Sequence, residues 1–447
     1  MKNININDFS LNIESSKLKE KYELDSKNKI IRHSLSKNPI SSVVHESSND
    51  QNTIFTFSKE VKTLPVCNQK QSGRCWIFAG LNVLREIIAK KLKLKDFELS
   101  QNFIALYDKL EKCNYALSSI ADLIDNELNE RALMHILVNG VSDGGQWDMF
   151  KNIVKKYGIL PKNNFNETFQ SSATQESNFL INNLIRQFAF EIKNLNTKDY
   201  KVIRNIKDNY MEKIFSLLIS SFGVPPTSFD FEYYDENNTY HIEKGYTPKT
   251  FFEKYIGNEI DEYVSLINSP TKDKPYYKSY TINYLNNCID GDDIIHLNVP
   301  MERMKELIKN QLDDDLIVWF GSDVSFYRDR QSGVWDNQAF DYITPFGFDI
   351  TFSKEAMLDY HASMMNHAMC ITGYNLKENL INRWKIENSW GKDVGNQGYY
   401  VMSNTWFDSF VYQAVIKKKY LNEKELSALK ESPKILDPWD PMGTLAN

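Results

Sequence analysis

Cys75 is the residue of this chain whose setting most favours covalent chemistry. It lies in Gln-Lys-Gln-Ser-Gly-Arg-Cys-Trp, residues 69–76, directly before an apolar pattern of helical spacing. A thiol becomes a strong nucleophile when its thiolate is stabilised, which a helix N-terminus and a nearby imidazolium both do. A lone cysteine at the start of an apolar helix is more often a small buried hydrophobe. Catalysis therefore requires a histidine, a group that orients it and donors for an oxyanion.

His367 is the histidine that best meets this requirement. It begins His-Ala-Met-Cys-Ile-Thr-Gly-Tyr, an apolar run that ends in a glycine turn. Asn388, in Glu-Asn-Ser-Trp-Gly, could accept a hydrogen bond from the imidazole, and Trp390 could shield that bond from water. His361 is a rival base six residues earlier, but it lacks the strand pattern that follows His367.

Helices and strands must hold these residues in place. Apolar residues recur at helical spacing from Cys75 to about Leu94, which places Cys75 near the positive end of a helix dipole. Other helical patterns cover residues 100–135, 146–157, 176–195, 207–221 and 422–431, and one opens at Thr247-Pro248. Strand patterns cover residues 316–320, 367–372, 383–387 and 398–402.

The composition indicates a globular protein and disfavours nucleic-acid or membrane partners. The 447 residues are 42% hydrophobic and 25% charged, enough for two or three domains or for one core with a large insertion. The net charge of −6 disfavours nucleic acid and anionic membranes as partners. We find no apolar signal segment and no apolar run long enough to span a bilayer.

The five cysteines indicate a reducing compartment and no zinc site. They are scattered and odd in number, and they form no Cys-x-x-Cys motif or Cys/His cluster. We therefore expect free thiols, neither a metal nor a cofactor, and structural roles for Cys67 and Cys370.

The order of the motifs resembles the papain-like cysteine peptidases. Gln-x5-Cys-Trp, His-Ala-x4-Gly-Tyr and Asn-Ser-Trp-Gly follow one another as in that family. The stretches NQKQSGRCW, DGGQWDM, NSWG and DPWDPMG are similar to one branch of it, bleomycin hydrolase and bacterial aminopeptidase C. The resemblance runs from about residue 20 to the last residue. It implies an α+β, papain-like fold, in which the active-site cleft separates a helical half from a β-rich half.

The resemblance also implies roles for individual residues. Cys75 matches the nucleophile, His367 matches the general base and acid, and Asn388 matches the residue that orients the imidazole. Gln69, six residues before Cys75, matches the oxyanion-hole glutamine, which acts together with the backbone N–H of Cys75.

Further residues match positions that contact the substrate. Gly144 and Gly145 resemble a loop that pairs with the substrate backbone, although a simple turn is the alternative. Asn366 would offer its carbonyl to the substrate. In the resembled branch the C-terminal arm enters the cleft, and its terminal carboxylate, here on Asn447, meets the free amine of the substrate. A frayed terminus is the alternative for these last residues.

Two departures from the family pattern are informative. Secreted members carry Cys-Gly-[Ser/Ala]-Cys-Trp, with the first cysteine in a disulfide, but Ser72 and Arg74 stand here. That disulfide cannot form, and Arg74 is either a solvated side chain or a support of the loop. Cys75 and His367 are about twice as far apart as the roughly 130–150 residues usual in the family, and an insertion accounts for the excess.

We expect five parts along the chain. They are an N-terminal arm (1–60), a helical half with Cys75 (61–160), a helical insertion with oligomer contacts (161–295), a β-rich half with His367 and Asn388 (296–420), and a C-terminal helix and arm that enters the cleft (421–447).

These inferences predict a cytoplasmic cysteine aminopeptidase of broad specificity that uses a Cys-His-Asn thioester mechanism. Its expected partners are peptides with a free N-terminus and further copies of the chain in a homo-hexamer, with neither nucleic acid nor membrane. One alternative is an endopeptidase of the same fold whose tail stays outside the cleft. The other is a catalytically silent binding protein that forms a ring.

Overall fold

The computed structural model describes residues 15–46 and 54–446, in which helices pack against one large mixed sheet. The α-helices are α1 (Ser15–Leu24), α2 (Ser26–Leu35), α3 (Ile40–Val44), α4 (Cys75–Leu92), α5 (Gln101–Asp122), α6 (Arg131–Asn139), α7 (Trp147–Tyr157), α8 (Phe169–Ser172), α9 (Gln175–Lys193), α10 (Tyr200–Phe222), α11 (Pro248–Tyr255), α12 (Met301–Asp313), α13 (Ile343–Phe346), α14 (Lys354–Asp359), α15 (Asn404–Phe410) and α16 (Glu423–Ala428). The strands are β1 (Lys59–Glu60), β2 (Phe229–Tyr234), β3 (Tyr240–Tyr246), β4 (Tyr263–Ile267), β5 (Ser279–Ile282), β6 (His296–Asn298), β7 (Val318–Ser322), β8 (Arg328–Asp329), β9 (Val334–Trp335), β10 (His367–Lys377), β11 (Leu380–Glu387), β12 (Tyr399–Ser403), β13 (Val411–Lys417) and β14 (Lys434–Leu436).

The sheet brings the start of β10 and the end of β11 together. Within the described residues the strand order is β14-β5-β6-β4-β13-β7-β10-β11-β12-β9-β8, with β1 also paired to β10. Strand β10 is antiparallel to both β7 and β11, and Cys370 lies opposite Glu387. Because of this register, His367 at the start of β10 and Asn388 just after β11 meet at one end of the sheet.

Helix α4 is fixed to this sheet by a buried ion pair. Arg85, only 1% exposed, donates to the Glu387 carboxylate at 2.8 Å, and Asn82 donates to the same oxygen at 2.9 Å. Burial raises the pKa of Glu387, and the Arg85 charge opposes that rise. Glu387 precedes Asn388 in the chain. The ion pair therefore holds the helix that begins at Cys75 in register with the strand that leads to Asn388.

Most of the predicted elements are present, but one interpretation was wrong. Helices α4 to α7, α9 to α11 and α16 and strands β7 and β10 to β12 lie where the patterns indicated. Residues 161–295 are not purely helical, since β2 and β3 form a hairpin and β4 and β5 join the main sheet. In β2 the buried Phe229 and Phe231 alternate with exposed acidic residues, a pattern of period two that marks a half-buried strand. Strand β4 pairs with the distant β13, a contact that no local pattern reveals.

The structure also bears on the predicted N-terminal arm and on the predicted state of the cysteines. Part of the N-terminal arm adds a strand to the sheet, because Lys59 and Glu60 pair with Tyr374 and Gly373 of β10. All five cysteines are buried free thiols, as expected. In the parts of the chain that the structure describes, every helix is too short or too polar to cross a bilayer.

Candidate active site

The Cys75 thiol lies between the N-terminus of α4 and the start of β10. Cys75 is the first residue of α4 and is 4% exposed. The backbone N–H of Ala368, the residue after His367, points to the Cys75 sulfur at 3.4 Å. A helix N-terminus and a converging N–H both favour negative charge on sulfur.

The imidazole of His367 is oriented by Asn388 and covered by Trp390. Nε2 of His367 is 2.8 Å from Oδ1 of Asn388, and since that oxygen can only accept, the proton is assigned to Nε2. The same oxygen accepts from the Ser389 N–H at 2.8 Å. The Trp390 ring stacks on the imidazole with centroids 4.8 Å apart. Nδ1 is thus the nitrogen left to exchange a proton with the thiol.

Burial acts on both members of the thiol–imidazole pair. It raises the pKa of Cys75 to about 11, against the backbone N–H groups of Ala368 and Trp76. It lowers the pKa of His367 to about 4, where Asn388 pulls the other way and two nearby arginines add to the lowering. Each group alone is therefore neutral at pH 7. Thiolate and imidazolium become favourable only together, because each charge offsets the desolvation of the other.

Gln69 is held beside this pair by three hydrogen bonds. Its Nε2 donates to the Ser72 carbonyl at 2.6 Å, and its Oε1 accepts from the Ser389 hydroxyl at 2.6 Å. Its backbone N–H donates to the Ser389 carbonyl at 2.8 Å. The amide carries a second N–H that these bonds leave available. The arrangement fixes a potential oxyanion donor to the segment that follows Asn388.

Arg74 supports the loop that leads to Cys75. It is 1% exposed, donates to the Ser72 hydroxyl at 2.9 Å and forms an ion pair with Glu167 at 3.0 Å. Ser72 in turn donates to the Gln69 carbonyl at 2.7 Å. Of the two interpretations left open for Arg74, the support of the loop is the correct one.

The C-terminal tail occupies the loop that contains Gly144 and Gly145. The Gly145 N–H donates to the Leu445 carbonyl at 2.9 Å, and the Ser142 hydroxyl donates to the Ala446 carbonyl at 2.9 Å. A Cβ on Gly144 would lie 2.3 Å from the Leu445 oxygen, so this approach requires glycine. Leu445 is 3% exposed. The last described residues, Pro441–Ala446, form a 3-10 helix, and the carbonyl groups at its end accept these hydrogen bonds from the loop.

Asp143 connects this loop to the nucleophile segment. Its carboxylate accepts from the Gly73 N–H at 2.9 Å, from Lys109 at 2.6 Å, from Asn178 at 3.0 Å and from the Thr174 hydroxyl. Burial raises the pKa of Asp143, but Lys109 and the hydrogen bonds outweigh burial and hold it well below its usual range. Asp143 stands in the DGGQWDM motif, but its partners from three other segments could not be found from sequence.

Comparison of the sequence with known protein families matches residues 11–443 to the Peptidase C1-like family. The chain belongs to this family. It is 45% identical to aminopeptidase C of Lactobacillus delbrueckii subsp. lactis over 88% of both chains. It is 36% identical to bleomycin hydrolase of Mus musculus over 86% of both chains. The crystal structure of PepW from Lactobacillus rhamnosis HN001 superposes with a TM-score of 0.93 at 40% identity, over 96% of this chain and 98% of that one. The predicted branch and the papain-like α+β fold are confirmed.

The remaining predicted residues of this C1-like peptidase have different outcomes. The Asn366 side chain is engaged by the neighbouring loop, where it donates to Asp323 and Ser325 and accepts from the Val324 N–H. The role of its carbonyl stays a prediction. Asn447 lies outside the described residues. His361, the rival base, is exposed in the loop after α14.

The first prediction concerns His367→Ala. Without imidazolium, the pKa of the buried Cys75 thiol stays near 11, so alkylation by iodoacetamide at pH 7 should slow by about two orders of magnitude or more. The rate should then rise steadily toward alkaline pH. Mass spectrometry of the Cys75 peptide measures it, with Cys75→Ala as the blank. If wild type and variant gave the same dependence of alkylation rate on pH, both with the ordinary thiol pKa of about 8.5, His367 would have no effect on the Cys75 thiol. That result would contradict a thiolate–imidazolium pair.

The second prediction concerns Asp143→Asn, which keeps the shape but leaves the Lys109 ammonium without its carboxylate. Displacing the loops that hold Gly73 and Gly145 should lower kcat/KM for an alanyl reporter roughly 10- to 100-fold. The matched control is Glu425→Gln, which removes the buried carboxylate that pairs with Arg303 at 2.7 Å. Both variants should lose stability in urea, and only Asp143→Asn should lose this much activity. Equal activity losses in the two would refute a specific role for Asp143.

Proposed function

We propose that this cysteine aminopeptidase of the C1-like family releases single N-terminal residues from peptides of broad sequence through a thioester on Cys75. The observation that carries the proposal is the tail, which lies along the Gly144–Gly145 loop beside the thiol–imidazole pair. A substrate chain that extended upstream of the scissile bond would need this same loop. The tail therefore leaves room only for a short N-terminal portion.

The reaction has two stages. In the first, the Cys75 thiolate attacks the carbonyl carbon, and Gln69 and the Cys75 N–H stabilise the oxyanion. His367 then gives its proton to the leaving amine, the C–N bond breaks, and the acyl group remains on sulfur as a thioester. In the second stage, His367 takes a proton from water, and the hydroxide releases the amino acid and restores the thiol. Asn388 keeps the imidazole in one tautomer throughout.

The tail limits how much of the substrate can lie upstream of the scissile bond. Met442, Leu445 and Ala446 are all at most 8% exposed, and the Gln146 side chain donates to the Met442 carbonyl at 3.2 Å. Farther back, the Arg131 guanidinium lies 3.7 Å from the ring centroid of Trp439. These anchors favour a seated tail over a frayed one. That the main-chain carboxylate of Asn447 pairs with the substrate amine stays a prediction.

A homo-hexameric ring in the cytoplasm is the assembly and location we propose. Large apolar side chains of α8 to α10 and the adjoining loops are at least half exposed, as subunit contacts require: Phe169, Phe179, Phe190, Tyr200, Phe215 and Val224. Light scattering should give a mass near six chains, and a monomer would refute the ring.

The five free thiols support a reducing compartment such as the cytoplasm. Recovery of the protein from culture medium would refute the cytoplasmic location.

The third prediction concerns deletion of residues 444–447. The full chain should hydrolyse free-amine peptides and leave N-acetylated peptides intact. The deletion opens the Gly145 loop, so it should gain internal cleavage of acetylated peptides. Product masses measure both activities. Leu445→Asp serves as a second variant, because a carboxylate at this buried position should expel the tail without shortening the chain.

Cys75→Ala is the blank for these measurements. Preference of the full chain for acetylated peptides would favour the endopeptidase. Undiminished turnover by Cys75→Ala would refute the nucleophile, and no turnover by any form would favour the silent binding protein.

A further inference from the structure

Two guanidinium groups lie on the ring that covers the catalytic imidazole. The Arg330 guanidinium carbon is 4.8 Å and the Arg328 carbon 5.4 Å from the ring centroid of Trp390. Trp390 itself stacks on His367 at 4.8 Å. Arg328 is partly buried and Arg330 is exposed, so the pair forms a positively charged surface at the edge of the site.

In the described part of the chain, neither arginine is paired with a carboxylate. Arg74, Arg85 and Arg303 each form an ion pair with a glutamate. Within residues 15–46 and 54–446, no carboxylate lies within 4.0 Å of either Arg328 or Arg330.

The carboxylates nearest in sequence are already engaged. Asp323 accepts from the Ser363 hydroxyl at 2.7 Å and from the Asn366 amide at 2.7 Å. Asp329 accepts from the Gln331 N–H at 2.9 Å. Burial and the neighbouring charge of Arg330 lower the pKa of Arg328, as expected for two cations held together without a counter-ion. An anion bound between them would relieve that repulsion.

The tail and the two arginines contact different parts of the site. The tail contacts Ser142, Gly145 and Met365. The backbone of Trp390 instead forms an isolated antiparallel β-bridge with that of Asn68, the residue before Gln69. Since the upstream side is filled by the tail, the downstream part of the substrate leaves past the indole.

We propose that Arg328 and Arg330 bind a carboxylate on the leaving fragment, either its free C-terminus or an acidic side chain in its first two residues. Guanidinium groups bind carboxylates through paired, charge-assisted hydrogen bonds. An extended chain advances by roughly 3.5 Å per residue, so one or two residues span the distance from the imidazole to the guanidinium groups. The proposal rests on the proposed function and adds a preference for dipeptides and for acidic residues after the scissile bond.

The fourth prediction compares kcat/KM within two matched substrate pairs. Ala-Ala against Ala-Ala-amide tests the terminal carboxylate, and Ala-Glu-amide against Ala-Gln-amide tests the side chain. Wild type should prefer the carboxylate member of at least one pair by about tenfold, the worth of a charge-assisted hydrogen bond. In Arg328→Gln/Arg330→Gln the ratio should fall to about one, and high salt should reduce it in wild type. The single variant Arg330→Gln replaces an exposed residue and covers the case in which the double variant does not fold.

Arg383→Gln is the matched control, because Arg383 also lies over an aromatic ring, Phe57 at 5.8 Å, but outside the cleft. It should keep the wild-type ratio. A ratio near one in wild type for both pairs, or an unchanged ratio in both arginine variants, would overturn the proposal. Hydrolysis of a neutral alanyl-coumarin reporter tests the proposed function separately. Reporter turnover with a ratio of one refutes the anion site alone, whereas no turnover refutes both.

Discussion

One backbone hydrogen bond, from the Gly145 N–H to the Leu445 carbonyl, holds the C-terminal tail on the glycine loop, and the substrate choice proposed above depends on it. We propose that a bound peptide makes this bond, which the chain here makes with itself. Under the proposed function, a tail seated there restricts the cleft to substrates whose N-terminus lies next to it. The proposed reaction at Cys75 does not require this bond, but the proposed restriction to chain ends does.

Two buried charge pairs hold the glycine loop of that bond and the Cys75 helix in place. The buried Asp143 carboxylate fixes the glycine loop and the Gly73 segment together, so the nucleophile and the loop cannot shift independently. The Arg85–Glu387 ion pair fixes α4 to the strand that leads to Asn388. Removing one partner from either buried pair leaves a charge that the interior cannot solvate. The geometry of the candidate site thus depends on two buried charge pairs outside Cys75, His367 and Asn388.

The sequence was sufficient to predict which residues meet at the candidate site but not which residues position them. Cys75, His367 and Asn388 stand in short motifs, and α4 follows from apolar periodicity. Asp143 could be seen in its motif, but Lys109 is an ordinary helical lysine until folding places it beside that carboxylate. Likewise β4 joins the main sheet only because β13, far along the chain, supplies its partner. Long-range pairings of this kind have no local pattern.

Hydrogen exchange at the Gly145 amide tests the central claim most directly. In the full-length chain at neutral pH, mass spectrometry with single-residue fragmentation should find this amide strongly protected, because it donates to Leu445 in a buried setting. The Gly144 amide, which donates to the Ser142 hydroxyl within the loop, provides an internal comparison. Exchange of the Gly145 amide as fast as in an unstructured peptide would mean that the tail is not seated, and would contradict the account.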